Sequence, residues 1–188
     1  MATQPKTTGL TYEDLRSFPD DNLRREIIDG LLFVTPSPIR RHQGVVVELV
    51  TALVLYRRKH GGDVYAAPMD VFFSETNVVE PDVVFVGPER LAGTDETKIM
   101  VIPDLVVEVS SPSTRRIDLT RKKELYERFG VVEYWFVDIE AERLEAYRLH
   151  QGAYGGPEIL GAGDVLTSPG LPGFALDLST ILETPSGQ

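Results

Sequence analysis

The chain has 188 residues, of which 42% are hydrophobic and 26% charged, values typical of one globular domain with a substantial core. It has no cysteine, which excludes disulfides, thiolate nucleophiles and cysteine zinc sites, and its formal net charge of −10 argues against a general nucleic-acid-binding surface. No apolar run approaches the roughly 18 residues that span a membrane, and the N-terminus lacks the apolar segment of a secretory signal, so we expect a cytoplasmic protein without a membrane anchor.

The first third of the sequence predicts a helix, a hairpin and a second, longer helix. The segment TYEDLRSF (11–18) suits a short helix capped by Thr11. The segment REIIDGLLFV (25–34) predicts two strands joined by a tight turn at Asp29-Gly30. A long helix is predicted over residues 41–59, because apolar residues recur on one face and Gly61-Gly62 follows.

The rest of the chain predicts further strands around one more helix. Strands are expected at about 63–74, 79–86, 104–110, 132–138 and 143–149, with short β segments in the tail. A helix is predicted from about 118 to 129, with Asp118 as its N-cap and Gly130 as its end. The strand–helix–strand unit 104–138 predicts a right-handed parallel crossover. We expect a single domain over residues 11–182, with flexible ends at 1–10 and 183–188.

Two carboxylates stand where the strand pattern requires apolar side chains. Asp82 shares a predicted strand face with Val84 and Val86, and Glu108 shares one with Val106. A carboxylate in a covered sheet is costly unless a cation or hydrogen-bond donors compensate it. Two neighbouring carboxylates would repel each other, and a divalent ion would reverse that repulsion.

The helix that follows the Glu108 strand places a lysine on its apolar side. Lys122 falls near the middle of the apolar arc of this helix, so it is predicted to point towards the acids. Other interpretations remain open: Lys122 could extend to solvent, and Asp82 could be a turn residue. A structural Glu108–Lys122 ion pair would explain those two residues but not Asp82.

Several segments together resemble the Uma2 family. The resemblance covers about residues 12–180 and includes REIIDGLLFVTPSP, VVEPDVVFV, IPDLVVEVSSPSTRRIDLTRKKELYERFGVVEYWFVD and GDVLTSPGLPGFAL. Uma2 proteins are placed in the PD-(D/E)XK nuclease superfamily. The resemblance therefore implies an α/β fold with a restriction-endonuclease-like core, in which a central mixed β-sheet is flanked by helices.

The resemblance also implies a metal site. Asp82 and Glu108 match the two metal-binding acids, and the backbone carbonyl of Val109 is a further expected ligand of Mg²⁺ or Mn²⁺. The superfamily lysine would stand at Ser110, so Lys122 is interpreted as a lysine that has migrated to the following helix.

Further candidate residues complete the predicted site; of these, Glu26 and His42 follow from the same resemblance, and so does a dimer. Glu26 matches a family acid that could face the metal, and an edge-strand pair with an arginine is the alternative. His42 matches a recurrent histidine that could assist substrate or metal binding, although a structural histidine explains it equally well. Arg115 and Arg116 could contact phosphates that flank the cleaved bond, or form an ordinary solvated loop. The family also implies a homodimer.

The leading hypothesis is metal-dependent hydrolysis of nucleic-acid phosphodiester bonds by an endonuclease, with DNA as the expected substrate. In it Lys122 orients the attacking water or stabilises the developing charge. A catalytically inactive nuclease-fold protein that binds nucleic acid or a protein partner is the alternative. Hydrolysis of another phosphate ester at the same site is a third possibility.

Overall fold

The computed structural model describes residues 8–19, 21, 23–94 and 96–183. Most of the predicted flexible ends, residues 1–7 and 184–188, lie outside this range. Leu10, however, is buried, and its N–H donates to the carbonyl of Gly30 at 3.0 Å. The packed part of the chain therefore includes residue 10, which the sequence pattern had assigned to a loose end.

The described helices and strands are, in chain order, α1 (Tyr12–Arg16), β1 (Arg24–Ile28), β2 (Leu31–Thr35), α2 (Arg40–His60), β3 (Asp63–Ala66), β4 (Asp70–Ser74), β5 (Asn77–Val79), β6 (Val83–Val86), a 3₁₀ helix (Pro88–Gly93), β7 (Lys98–Ile99), β8 (Leu105–Val109), α3 (Arg115–Ile117), a π-helical turn (Asp118–Lys122), α4 (Lys123–Phe129), β9 (Glu133–Asp138), β10 (Arg143–His150), β11 (Ala153–Tyr154), β12 (Glu158–Gly161), β13 (Val165–Thr167), β14 (Ala175–Asp177) and α5 (Ser179–Leu182).

Local sequence signals place the N-terminal elements as predicted. Thr11 and Asp14 form a reciprocal capping box at the start of α1. Strands β1 and β2 pair antiparallel around Asp29 (φ 51°) and Gly30 (φ 73°). Positive φ at both central residues is the geometry of the tight hairpin that an Asp-Gly pair favours.

The strands form two mixed sheets and a small ribbon. One sheet has the order β2-β1-β5-β4-β7, with β4 and β7 parallel. The larger sheet has the order β11-β10-β9-β8-β6-β3, with β12 also paired to β10. Strands β8 and β9 are parallel, as predicted for the crossover, whereas β6 and β8 are antiparallel. Strands β13 and β14 form the ribbon, in the tail where short β segments were predicted.

Helices cover the large sheet and enclose two hydrophobic cores. One core includes α2 residues such as Leu49 and Leu53 together with Trp135 of β9. The other includes Leu125 and Tyr126 of α4 and Phe136 of β9. This α/β arrangement of mixed sheets flanked by helices confirms the predicted fold class. No helix among the described residues is long and apolar enough to span a membrane.

Prolines divide two of the predicted strands. The segment 63–74 forms β3 and β4 on either side of Pro68, and the segment 79–86 forms β5 and β6 on either side of Pro81. Proline has no N–H to donate to a sheet, so it ends regular pairing at both places. Asp82 consequently precedes β6 by one residue instead of lying inside a continuous strand.

The prediction that Asp118 caps a helix is wrong. Helical structure begins at Arg115, and Asp118 lies buried at the start of the π-helical turn. The backbone N–H groups of Ser111 and Thr114 each bond to the other residue's hydroxyl, at 3.2 and 3.3 Å. This turn starts the helix earlier than the isolated acid suggested. The predicted end is confirmed, since Gly130 adopts φ 83° directly after α4.

Candidate active site

A cavity of about 730 Å³ is lined by residues from β1, α2, the β5–β6 connection, the end of β8 and the π-helical turn. Arg24, His42, Asp82, Glu108 and Lys122 all contribute to its lining. Four of these five were selected from the sequence. The fold therefore brings residues that are far apart in the chain to one concave surface.

The antiparallel pairing of β6 and β8 brings the two predicted acids together. Val83 is paired with Val107. Asp82 comes directly before Val83 and Glu108 directly after Val107, so both lie at the same end of this strand pair. Both side chains are buried, with 4% and 2% of their surface exposed. The structure thus places two carboxylates side by side at the cavity.

Asp82 is held on both of its carboxylate oxygens. Its Oδ2 accepts the Val109 N–H at 2.8 Å and lies 3.1 Å from His42 Nε2. Its Oδ1 accepts a hydrogen bond from Arg24 Nη1 at 2.9 Å. Although burial opposes its ionisation, the His42 hydrogen bond and the Arg24 charge hold the pKa of Asp82 below its ordinary value. Asp82 is therefore an ionised carboxylate with a fixed orientation.

Hydrogen bonds from described residues hold Glu108 on one of its carboxylate oxygens. Its Oε1 accepts hydrogen bonds from Lys122 Nζ at 2.9 Å and from the Tyr126 hydroxyl at 2.6 Å. Its Oε2 lies 3.9 Å from Arg24 Nη2. Burial raises the pKa of Glu108 to about 8, and the charge of Lys122 opposes that rise only in part. Glu108 and Asp82 therefore differ in how readily they carry a negative charge.

Lys122 points inwards from the π-helical turn and is 3% exposed. Its Nζ lies 2.8 Å from Glu26 Oε1 and 3.9 Å from Asp118 Oδ1, in addition to its bond to Glu108. Burial would lower its pKa, but Glu108 and Glu26 together raise it above the ordinary lysine value. The inward orientation predicted from the helical pattern is confirmed, and the alternative of a solvent-extended lysine is wrong.

Glu26 and His42, the two other residues that the family resemblance indicated, also lie at the site. Glu26 Oε1 accepts the Glu80 N–H at 2.8 Å as well as its bond from Lys122. His42 contacts Asp82 through Nε2, while its Nδ1 is buried and has no hydrogen-bond partner among the residues that the structure describes. Both residues thus contact predicted catalytic groups directly.

Negative charge exceeds positive charge at this site. The carboxyl groups of Glu26, Glu80, Asp82, Glu108 and Asp118 converge there, and they face two permanently cationic side chains, Arg24 and Lys122. The excess favours uptake of either protons or a cation.

Two further acids of the site, Glu80 and Asp118, have raised pKa values, as Glu108 has. Burial raises the pKa of Glu80 to about 7 and that of Asp118 to about 6, against the charges of Arg24 and Lys122 respectively. No group of three or more histidine, aspartate or glutamate side chains within the described ranges is arranged to hold a metal ion. The available donor set is therefore the pair of oxygens that Asp82 and Glu108 direct towards Arg24.

The sequence analysis did not assign four of the residues at the site, namely Arg24, Glu80, Asp118 and Tyr126. Arg24 and Glu80 each stand two residues before a recognised acid, Glu26 and Asp82, and this period-two spacing was an available signal. Asp118 and Tyr126 lie four residues on either side of Lys122, which places all three on one helix face. The π-helical turn at this place is a rare conformation that is frequent at functional sites.

The two predicted phosphate-contacting arginines have different surroundings. Arg115 Nε donates to Oδ2 of Asp138, a buried carboxylate, at 2.9 Å. Arg116 is exposed on the same short helix. Arg115 thus has a structural partner within the protein, and a role for either residue in phosphate binding stays a prediction.

Comparisons with known proteins agree with this architecture. The profile of the Uma2 family, described as "Putative restriction endonuclease", matches residues 11–179. A crystal structure from Anabaena variabilis ATCC 29413, described as "a putative nuclease belonging to DUF820", superposes with a TM-score of 0.77 at 17% sequence identity. That match covers 92% of this chain and 97% of the other, and at this identity it shows a shared fold. No curated protein sequence matches the chain. Because the family match spans most of its length, the chain belongs to the Uma2 family.

Proposed function

We propose that this protein is a metal-dependent nuclease that hydrolyses phosphodiester bonds in nucleic acid, with DNA as the expected substrate. The observation that carries the proposal is the convergence of Asp82, Glu108 and Lys122 at one cavity. The description of the Uma2 family supports the same reaction class.

The donor set at the cavity fits Mg²⁺ or Mn²⁺. Both ions prefer oxygen ligands, and Mg²⁺ commonly binds through one or two carboxylates while it keeps waters and contacts substrate phosphates. Within the described part of the chain, Asp82 Oδ1 and Glu108 Oε2 make no hydrogen bond to a backbone group or a lysine, and each faces Arg24. A site of two carboxylates is thus compatible with the absence of a three-residue cluster. The carbonyl of Val109 stays a predicted further ligand.

The surrounding residues would hold the two acids in position for this chemistry. A bound divalent ion would polarise the phosphoryl oxygen and lower the pKa of its water. Val109 N–H and His42 fix Asp82, while Lys122 and Tyr126 fix Glu108. Lys122 keeps its proton and adds positive charge beside the reacting phosphate, which stabilises negative charge that develops there.

Because the chain is acidic, we expect only a few positively charged groups to provide its affinity for nucleic acid. With a net charge of −10, the protein lacks the overall positive charge that favours non-specific binding. The metal site and local cations such as Arg116 are then the expected phosphate contacts. We also propose the homodimer that the family implies, and light scattering coupled to size-exclusion chromatography measures its mass.

One observation favours the second candidate, a nuclease-fold protein that binds without catalysis. Arg24 and Lys122 neutralise part of the charge of Asp82 and Glu108 from within the protein itself. A protein with a purely structural ion-pair network would show the same contacts and would bind no divalent ion.

Calorimetric titration of Mn²⁺ into chelator-treated protein separates the two candidates. We expect saturable binding by wild type that is lost in Asp82→Asn and in Glu108→Gln. Glu145→Gln is the matched control, because Glu145 is also a buried glutamate bonded to an arginine and a tyrosine, but at another place. Equal binding by wild type and Asp82→Asn would refute the assignment. Binding with the expected pattern is followed by plasmid and oligonucleotide cleavage assays with Mg²⁺.

A further inference from the structure

Arg24 lies between the two acids of the proposed metal site. Its Nη1 donates to Asp82 Oδ1 at 2.9 Å, and its Nη2 lies 3.9 Å from Glu108 Oε2. The same Nη2 donates to the carbonyl of Glu80 and lies 3.7 Å from Glu26 Oε1. The guanidinium is therefore surrounded by the acids of the site.

The oxygens of Asp82 and Glu108 that face Arg24 have no other hydrogen-bond partner among the described residues. Asp82 Oδ2 is occupied by Val109 N–H and His42, and Glu108 Oε1 by Lys122 and Tyr126. The remaining oxygen of each acid points at the guanidinium. A divalent ion bound by both acids would need these same two oxygens, and the ion and the guanidinium would repel each other at close range.

We infer that Arg24 is the protein's own counter-ion at the divalent-cation position, and that metal binding displaces its guanidinium into the cavity. This inference rests on the metal site of the proposed function. Arg24 neutralises part of the charge of Asp82 and Glu108, and it would compete with the metal for their oxygens.

The attachment of Arg24 is suited to such a displacement. Its side chain is 21% exposed and lines the cavity, whereas the Lys122 side chain is 3% exposed. Arg24 Nε is buried and makes no hydrogen bond with any described group, and its nearest carboxylate oxygen, Glu80 Oε2, is 3.7 Å away. Its hydrogen bonds with described groups are one to Asp82 and one to the carbonyl of Glu80, and its other carboxylate neighbours, Glu26, Glu80 and Glu108, lie 3.7–3.9 Å away.

Displacement would change what the cavity binds. An arginine keeps its charge, and a planar guanidinium can bond two phosphate oxygens at once. In the structure these donors face acids. With a metal bound they would face the cavity, where a substrate phosphate would lie. Metal binding and phosphate binding would then strengthen each other, since coupling between two ligands is reciprocal.

The first test compares Mn²⁺ affinity in wild type, Arg24→Met and Arg25→Met by calorimetry. Arg25 is the matched control: it is the next residue of the same strand and is paired with Asp21 instead of the site acids. We expect Arg24→Met to bind Mn²⁺ about tenfold more tightly, which corresponds to one charge-assisted hydrogen bond that no longer has to break. Arg25→Met should match wild type. Equal or weaker binding by Arg24→Met overturns the inference.

The second test uses wild-type protein and so does not depend on the folding of a variant. Phenylglyoxal modifies accessible arginines, and peptide mass spectrometry reports the modification rate at Arg24 and at Arg25. With saturating Mg²⁺ the rate at Arg24 should rise several-fold while that at Arg25 stays constant. Tighter Mn²⁺ binding by Arg24→Met without this rise would show only a through-space charge effect, and would overturn the displacement.

The two proposals fail in different ways. If wild type binds Mn²⁺ through Asp82 but Arg24 stays protected, the displacement of Arg24 is wrong and the metal site stands. If neither wild type nor Arg24→Met binds Mn²⁺, both proposals are wrong. Binding by Arg24→Met alone supports the inference, because removal of the competing cation then reveals the site.

Discussion

The effect of Glu108 ionisation on stability distinguishes a functional site from a structural ion pair. Burial raises its pKa from an ordinary 4.5 to about 8, against the opposing charge of Lys122. Because the folded pKa is above the unfolded one, the folded state binds more protons between these values, and the free energy of unfolding falls as pH rises through that window. The ionisation preference of Glu108 thus costs stability at neutral pH.

Glu108→Gln should remove this cost. At about 1.4 kcal/mol per pH unit, the interval from 4.5 to pH 7 corresponds to roughly 3 kcal/mol. Glutamine keeps the shape of the side chain and an oxygen that accepts from Lys122 and Tyr126. We expect the variant to gain up to about 3 kcal/mol at pH 7, a rise in Tm of about 6–12 °C, and almost nothing near pH 5.

Thermal unfolding followed by circular dichroism from pH 5 to 8, with a chelator present, measures this gain. Glu145→Gln serves as the control, and we expect it to lose stability because it weakens buried hydrogen bonds from Arg143 and Tyr147. If Glu108→Gln is instead less stable than wild type by about 3–5 kcal/mol at every pH, Glu108 is the partner in a structural ion pair and the reasoning is refuted.

Three further predictions concern other parts of the network and the fold. Lys122→Met leaves buried carboxylates without their cation, so urea unfolding should show a loss of about 3–5 kcal/mol; an unchanged midpoint would contradict this. Arg115→Ala should lower the free energy of unfolding by about 1–3 kcal/mol, because it leaves buried Asp138 without that partner. Arg116→Ala should keep wild-type stability. It should instead lower, by about 1, the slope of log binding constant against log salt concentration for DNA, measured by fluorescence anisotropy. Gly30→Ala should lower stability by about 1–2 kcal/mol in thermal unfolding, since φ is 73° there and the new Cβ would lie 3.0 Å from a backbone carbon; a wild-type Tm would show that the turn relaxes without cost.

The sequence by itself determined those features that depend on neighbouring residues. The Asp29-Gly30 turn, the cap at Thr11 and the helix end at Gly130 are set by local backbone chemistry, and the structure has all three. The inward direction of Lys122 followed from helical periodicity, because a helix fixes the angle between successive side chains. The unusual position of Glu108 was visible because strand alternation requires an apolar residue there, and the same pattern selected Asp82 although it lies one residue before β6.

Only the tertiary structure decided which groups meet at the cavity and what each carboxylate oxygen contacts. Arg24 and Asp82 are 58 residues apart, and the contact between them depends on how the hairpin of β1 and β2 lies against the end of the large sheet. Sequence periodicity gives the side of a strand on which a residue lies. It does not give the residue from another element that packs against that side. The excess of acids, the cation between them and the raised pKa of Glu108 are properties of that assembly, because burial and charge act through space and not along the chain.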